Sequence, residues 1–196
     1  MFMRGLIFPG GREPVLERDR VTLRYPEPGD YTQWSELRDK SRRFLEPWEP
    51  TWAPDEVSRT AFRRRLRRYQ REIRADVTYP FFVFRTSDRA LLGGCTVSNV
   101  RRGVTQSASL GYWIGEPYAR QGYMGEAVRA IVPFVFGVLT LHRLEAACIP
   151  GNDASKRLLV SAGFREEGYA RSYLQINGAW RDHILFALLE DDRPVR

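Results

Sequence analysis

The residues with the clearest chemical spacing lie between Gly111 and Ala127. The run Gly111-Tyr112-Trp113-Ile114 reads as a buried strand. A short loop follows that carries Arg120, Gly122 and Gly125, and then the first turn of a long helical pattern. That layout suits a pyrophosphate. Glycines let a ligand approach the backbone, and the unpaired N–H groups of a helix N-terminus point at an anion with the macrodipole behind them. No G-x-x-x-x-G-K-[ST] is present, and Gly122 and Gly125 do not complete G-x-G-x-x-G, which disfavours a nucleotide kinase or a Rossmann dehydrogenase. A strand-to-helix turn that binds nothing uses the same glycines, so the segment alone leaves both readings open.

The elements that would position this loop follow from periodicity and turn chemistry. Arg20 to Tyr25 alternates as a strand, and Asp30 with Gln33 predicts a capped helix to about Arg42. The prolines of Phe44-Leu45-Glu46-Pro47-Trp48-Glu49-Pro50 predict a rigid aromatic loop that is not helical. Asp55 is expected to open a second helix ending near Arg74, with Phe62, Leu66, Tyr69 and Ile73 on one face. Strands are predicted at Tyr79 to Arg85, Leu91 to Val100 and Ser107 to Gly115. A helix then runs from Gly122 to Leu139, with Pro133 as a kink, followed by a strand from Arg143 to Ile149. Asn152 starts a helix up to Ala162-Gly163, and Asn177-Gly178 turns a closing hairpin of Phe164 to Gln175 with Ala179 to Leu189. No repeat or linker divides this order into two domains.

Composition sets the outer bounds. A chain of 196 residues, 43% apolar and 13% aromatic, is long enough to bury a real core. No eighteen-residue apolar run is present, and Pro9-Gly10-Gly11 interrupts the Leu6-Ile7-Phe8 patch, so neither a membrane span nor a signal peptide is expected. Cys95 and Cys148 sit in apolar runs as reduced core residues of a cytoplasmic protein, and two histidines are too few for an obvious zinc site. The net charge of +7 is carried almost wholly by arginine. Its densest run, from Arg59 to Arg74, is either a solvated helix face or a surface for RNA or an acidic partner.

Aligned on Gly122, Ala119-Arg120-Gln121-Gly122-Tyr123-Met124 resembles the acyl-CoA loop of the GCN5-related N-acetyltransferases, Q/R-x-x-G-x-G/A. Its first position departs as Ala and its last as Met, with Gly125 one step later. Other segments resemble the RimJ-type branch, whose enzymes acetylate the N-terminal alanine of a small-subunit ribosomal protein. They are Phe44 to Pro50, Ser98-Asn99-Val100, His142-Arg143, Asn152-Asp153-Ala154-Ser155, Gly163-Phe164, Glu166 to Ala170, and Gly178-Ala179-Trp180-Arg181-Asp182-His183. The resemblance implies an N-terminal extension at residues 1–15 and one α/β (α+β) acetyltransferase domain at 16–196. Its sheet would be mixed, mostly antiparallel and seven-stranded, flanked by about four helices.

The resemblance also assigns roles. Acetyl-CoA would be the co-substrate, with no metal. Backbone N–H groups of Trp113 and Ile114 would stabilise the oxyanion. The pyrophosphate would rest on Arg120, Gln121, Gly122, Tyr123, Met124 and Gly125, and Asn152 would touch the cofactor. Ser155 would protonate the leaving thiolate, although Asn and Ser at a helix start also serve as plain caps. A related branch has a glutamate where this chain has Leu174, which leaves Asp182, Glu46, Glu116 or a water as base. Asp182 is the first choice, with an ion pair to an arginine as its alternative role. Phe44 and Trp48 would wall the acceptor cleft or merely cap the first helix, Glu46 would attract the ammonium, and Asn99 would face the cleft or the core. The implied activity is N-acetylation of a protein N-terminus. The alternatives are acetylation of a small amine such as an antibiotic or polyamine, and an RNA-associated binding module on a degenerate fold.

Overall fold

A computed structural model describes residues 13–192; most of the expected N-terminal extension lies outside the described residues. The chain begins with β1 (Leu16–Arg18), β2 (Val21–Arg24), α1 (Tyr31–Lys40), α2 (Arg42–Leu45) and α3 (Arg59–Arg74). The centre is built by β3 (Tyr79–Arg85), β4 (Leu91–Arg101), β5 (Ser107–Ile114) and α4 (Tyr123–Pro133). It ends with β6 (Arg143–Cys148), α5 (Asp153–Ser161), β7 (Arg165–Ile176) and β8 (Ala179–Leu189). The strands form one mixed sheet in the order β1-β2-β3-β4-β5-β6-β8-β7. Among the described residues only β5 and β6 pair in parallel, over residues 107–109 against 143–145.

The apolar runs are long because the central strands are covered on both faces. Phe81 and Val83 of β3 point into the core under α4 and α5, while Phe82 and Phe84 point into a second cluster under α1 and α3 with Trp34, Leu37, Phe62 and Leu66. Asn177 and Gly178 both take positive φ, 45° and 77°, as a tight hairpin turn requires.

Several expectations change. Among the described residues the sheet has eight strands, not seven. Three-residue β1 on the edge carries Leu16 as its single partly buried apolar residue and has no alternation to detect. Asp30 does not cap α1 with its side chain. It takes Arg24 in a two-pronged ion pair at 2.9 and 2.6 Å and accepts from the Glu27 N–H. Gln33 instead accepts from the Leu91 N–H on β4. The helix expected from Asp55 starts at Arg59, where Ser58 Oγ accepts from the Ala61 N–H at 3.1 Å. The segment expected to be non-helical, residues 44–50, holds the last two residues of α2 and a 3₁₀ turn over Glu46–Trp48, in which Pro47 sits in the first positions, where no N–H is needed. The helix from Gly122 does not run unbroken to Leu139. Pro133 ends α4, and one π turn, Phe134–Val138, follows.

Glycines allow the closest backbone approaches near the centre. A Cβ on Gly93 would lie 2.2 Å from the Trp113 carbonyl oxygen, and one on Gly115 would lie 2.4 Å from Leu37 Cδ1. Gly93→Ala must therefore push β4 away from β5. The expected cost is about 1–3 kcal/mol, read as a lower urea midpoint at unchanged m-value.

Candidate active site

After Ser109 and Glu145 the β5–β6 ladder stops, although β5 stays paired with β4 out to Ile114 and β6 stays paired with β8 out to Cys148. The two strands therefore splay, and a cleft of about 730 Å³ opens between them. Its walls are Leu110–Ile114 on one side and Ala147–Ile149 on the other, with the start of α5 and the Gly122 loop at its ends. Strand alternation decides which amides face it. The Gly115 N–H bonds to Leu92 of β4, while the Gln106 carbonyl bonds towards β6, so even-numbered residues of β5 turn their backbone to the splay. Ile114 and Tyr112 turn their backbone groups there, beyond the last residue paired with β6. The N–H of Trp113, expected beside that of Ile114, turns to β4 instead.

The loop makes a cradle. Arg120 and Gly122 both take positive φ, 61° and 86°. The first α4 hydrogen bond is from Glu126 N–H to the Gly122 carbonyl, so the amides of Tyr123, Met124 and Gly125 have no partner within the helix. Arg120 and Arg129 add positive charge on the cleft wall. From behind, the Arg20 guanidinium clamps the loop. It bonds to buried Glu126, to the Gln121 carbonyl at 3.2 Å, and lies over the Tyr123 ring at 4.6 Å. Burial pushes the Glu126 carboxyl up, but hydrogen bonds from the Arg20 side chain and backbone outweigh it and hold the group below its ordinary value. Gln121 braces the loop through the Pro117 carbonyl and does not line the cleft.

At the opposite wall, Asn152 Oδ1 accepts the Ser155 N–H at 3.1 Å, which fixes the first turn of α5. Ser155 Oγ lies 2.7 Å from Tyr112 Oη. Burial raises the Tyr112 phenol, with Ser155 opposing, and burial likewise raises the Cys148 thiol beside Ser155. Both groups stay protonated, and the Tyr112 and Ser155 hydroxyls share a hydrogen bond in which either oxygen can donate.

Phe44 and Trp48 reach the cleft rim, as does Glu49, which was not among the expected site residues. Arg38, almost fully buried, grips Glu49 with two bonds of 2.6 and 2.7 Å and lies between the rings of Trp52 and Trp113. The remaining expected residues are placed elsewhere. Glu46 pairs loosely with Arg42 at 3.9 Å outside the cleft lining. Asn99 is an exposed residue at φ 52° in the irregular end of β4, 3.5 Å from Ser109 Oγ. Asp182 is committed to Tyr169 Oη and the Ser172 N–H at 2.6 and 2.7 Å, an intramolecular role that differs from the expected arginine pair. Glu116 receives no cleft position; its N–H is bound by Ser41 Oγ. Leu174 does line the cleft, and so does His183, which the hairpin sequence placed without assigning it a role.

An acetyltransferase (GNAT) domain model matches residues 20–165. The chain belongs to the GNAT family. "Probable N-acetyltransferase YjcK" of Bacillus subtilis (strain 168) is 37% identical over 178 residues, covering 91% of this chain and 98% of the relative. The [ribosomal protein uS5]-alanine N-acetyltransferase of Escherichia coli (strain K12) is 33% identical, over 90% and 91% of the two chains. Among solved structures, Mycobacterium smegmatis RimJ in complex with CoA-disulfide superposes with a TM-score of 0.84 at 34% identity, over 89% of this chain and 84% of that one. This GNAT protein is an N-acetyltransferase of the RimJ/RimL-like group. Among the described residues no helix is long and apolar enough to cross a membrane, and no group of three or more acidic, histidine or cysteine side chains is placed to hold a metal.

The Arg20–Glu126 clamp predicts a coupled effect. Glu126→Gln is expected to weaken acetyl-CoA binding about tenfold by titration calorimetry, as a charge-assisted hydrogen bond is lost. A carboxyl whose folded value is lowered stabilises the fold above its ordinary value near ~4.3 and loses that contribution as pH falls through the folded value. Thermal melts should accordingly drop more steeply with acidification in the wild type than in Glu126→Gln.

Proposed function

We propose that this enzyme transfers the acetyl group of acetyl-CoA to the α-amine of an alanine-initiated protein N-terminus, that of a small-subunit ribosomal protein. The observation that carries the reading is the splay of β5 from β6, which offers a free backbone edge leading straight into the Arg120–Gly125 cradle. A pantetheine arm extends along such an edge as an added strand, and a pyrophosphate fits three unpaired amides flanked by Arg120 and Arg129. The similarity to the uS5-alanine enzyme over nine-tenths of both chains supports the acceptor class.

Bound acetyl-CoA supplies the thioester carbonyl and a thiolate leaving group. The Ile114 N–H is the backbone donor available to developing negative charge at the carbonyl oxygen. Ser155 Oγ, replenished by the Tyr112 phenol at 2.7 Å, donates to the leaving sulfur. Phe44, Trp48 and Glu49 form the wall past which the acceptor enters, and the Arg38 grip on Glu49 keeps that wall fixed.

The ribosomal setting gains support from α3. Arg63, Arg67, Arg71 and Arg74 lie along one exposed face, and among the described residues none has a carboxylate partner, whereas Arg64, Arg65 and Arg68 are paired. An unpaired stripe of guanidinium groups suits phosphate backbone. Substituting these four by Gln is expected to reduce the salt dependence of binding to ribosomal RNA while leaving acetylation of a free peptide unchanged.

Incubation with acetyl-CoA and a panel of N-terminal peptides, polyamines and aminoglycosides, read by mass spectrometry, tests the acceptor. Alanine-initiated peptides should gain an acetyl group; modification of the small amines alone would overturn the assignment. Ser155→Ala is expected to lower kcat about 100-fold with little change in the KM for acetyl-CoA. An unchanged kcat removes Ser155 from the mechanism.

A further inference from the structure

The cleft needs a proton acceptor, and its carboxylates do not supply one. Among the described residues lining it, Glu49 is the single acidic side chain, and both of its oxygens are taken by Arg38, with Trp52 Nε1 on one of them. Tyr112 and Cys148 are held protonated by burial. The arginines of the walls have no lone pair to offer. His183 remains.

The ring of His183 is almost fully buried and is set by two contacts. Tyr173, pushed towards it by the irregularity of β7 between Ala170 and Leu174, meets it edge-on with centroids 5.7 Å apart. Nδ1 lies 3.0 Å from the Arg181 carbonyl oxygen. A carbonyl only accepts, so Nδ1 carries the proton and the neutral ring keeps its lone pair on Nε2. Among the described residues Nε2 has no hydrogen-bond partner, and it is not one of the polar atoms sealed away from solvent without one, which are Tyr25 Oη, Arg38 Nε and Ser107 Oγ. Since His183 is part of the cleft wall, Nε2 opens into the cleft. Ile184 and Phe186 point from β8 into the core under α4 and α5, so alternation turns His183 to the other face, the one that carries Trp113 and Glu49.

We propose that His183 Nε2 is the catalytic base of this enzyme, an inference that rests on the amine-acetylating reading above. As the amine nitrogen bonds to the acetyl carbon, its N–H proton passes to Nε2. The C–S bond breaks and the sulfur takes the proton offered by Ser155, which Tyr112 and solvent restore. The imidazolium then gives its proton to water in the cleft. The charged and titratable groups around the ring are Arg171 and Tyr173 on β7, Arg181 and Asp182 on β8, and Glu49, Tyr112 and Cys148 on the facing walls. Asp182 is ionised through its bonds to Tyr169 and the Ser172 amide, and it attracts the imidazolium from the next position along the strand. The residue expected to be the base thus supports the charge on its neighbour.

The test compares wild type with His183→Gln over pH, using acetyl-CoA and an alanine-initiated peptide. The variant should lose about 100-fold in kcat/KM and one of the two acid limbs of the profile. The limb of the peptide amine persists in both proteins. The Kd for acetyl-CoA should stay the same, which separates the loss from a distorted cleft. An unchanged profile in a folded variant overturns the proposal. Nitrogen-15 spectra of the wild-type imidazole read the tautomer without any substitution: a proton on Nδ1 is expected, and a proton fixed on Nε2 in the neutral ring overturns it. Wild-type enzyme that leaves the peptide unmodified overturns the acceptor reading instead, and the same pH comparison then runs with whichever amine is acetylated.

Discussion

Between Ser109 and Ile114, β5 keeps one ladder and gives up the other, and nearly every feature of the site depends on that loss. An unpaired backbone edge inside a protein is costly unless something bonds to it. Here the strand is held against β4 by a register that glycines make possible, since Gly93 and Gly94 leave no side chain where the Trp113 carbonyl and indole must lie. On the other side β6 is held away by β8, to which it pairs along its whole length. The free edge is therefore a consequence of two good ladders competing for strands that cannot satisfy both at once.

The energetic support for this geometry lies behind the cleft. Arg20 and Arg38 act as long-range ties: the first links the turn between β1 and β2 to the cradle at Glu126 and Gln121, the second links α1 to Glu49 and the Trp113 ring. Both ties use the planar fork of arginine, which bonds with its edge and stacks with its face simultaneously, a combination an ammonium cannot reproduce. The cradle is consequently fixed by groups that do not line it, and the arginines that do, Arg120 and Arg129, form no salt bridge among the described residues.

Much of this was legible in the chain. The helix and strand order followed from periodicity, the closing hairpin from Asn177-Gly178, and the cradle from glycines placed between an apolar run and a helical one. Those signals are local: each depends on residues within a few positions of one another. What escaped was non-local. β1 is set by its pairing with β2, Asp30 is drawn from its capping position by Arg24, and Glu49 matters because Arg38, eleven residues earlier, folds back on it. The Trp113 amide was misplaced for a related reason, since strand phase is set by the neighbour it pairs with and not by the strand's own sequence.

His183 shows the same limit most sharply. In the chain it follows Asp182, and a carboxylate beside a histidine in a hairpin is the more obvious proton acceptor. The strand places the two on opposite faces, so adjacent residues meet different surroundings. Asp182 turns to its partner strand, where a phenol and an amide satisfy it, while His183 turns into the cleft with one nitrogen bonded and the other open. Neither residue's own chemistry decides between them. The irregular register of β7, which carries Ser172 to one and Tyr173 to the other, does.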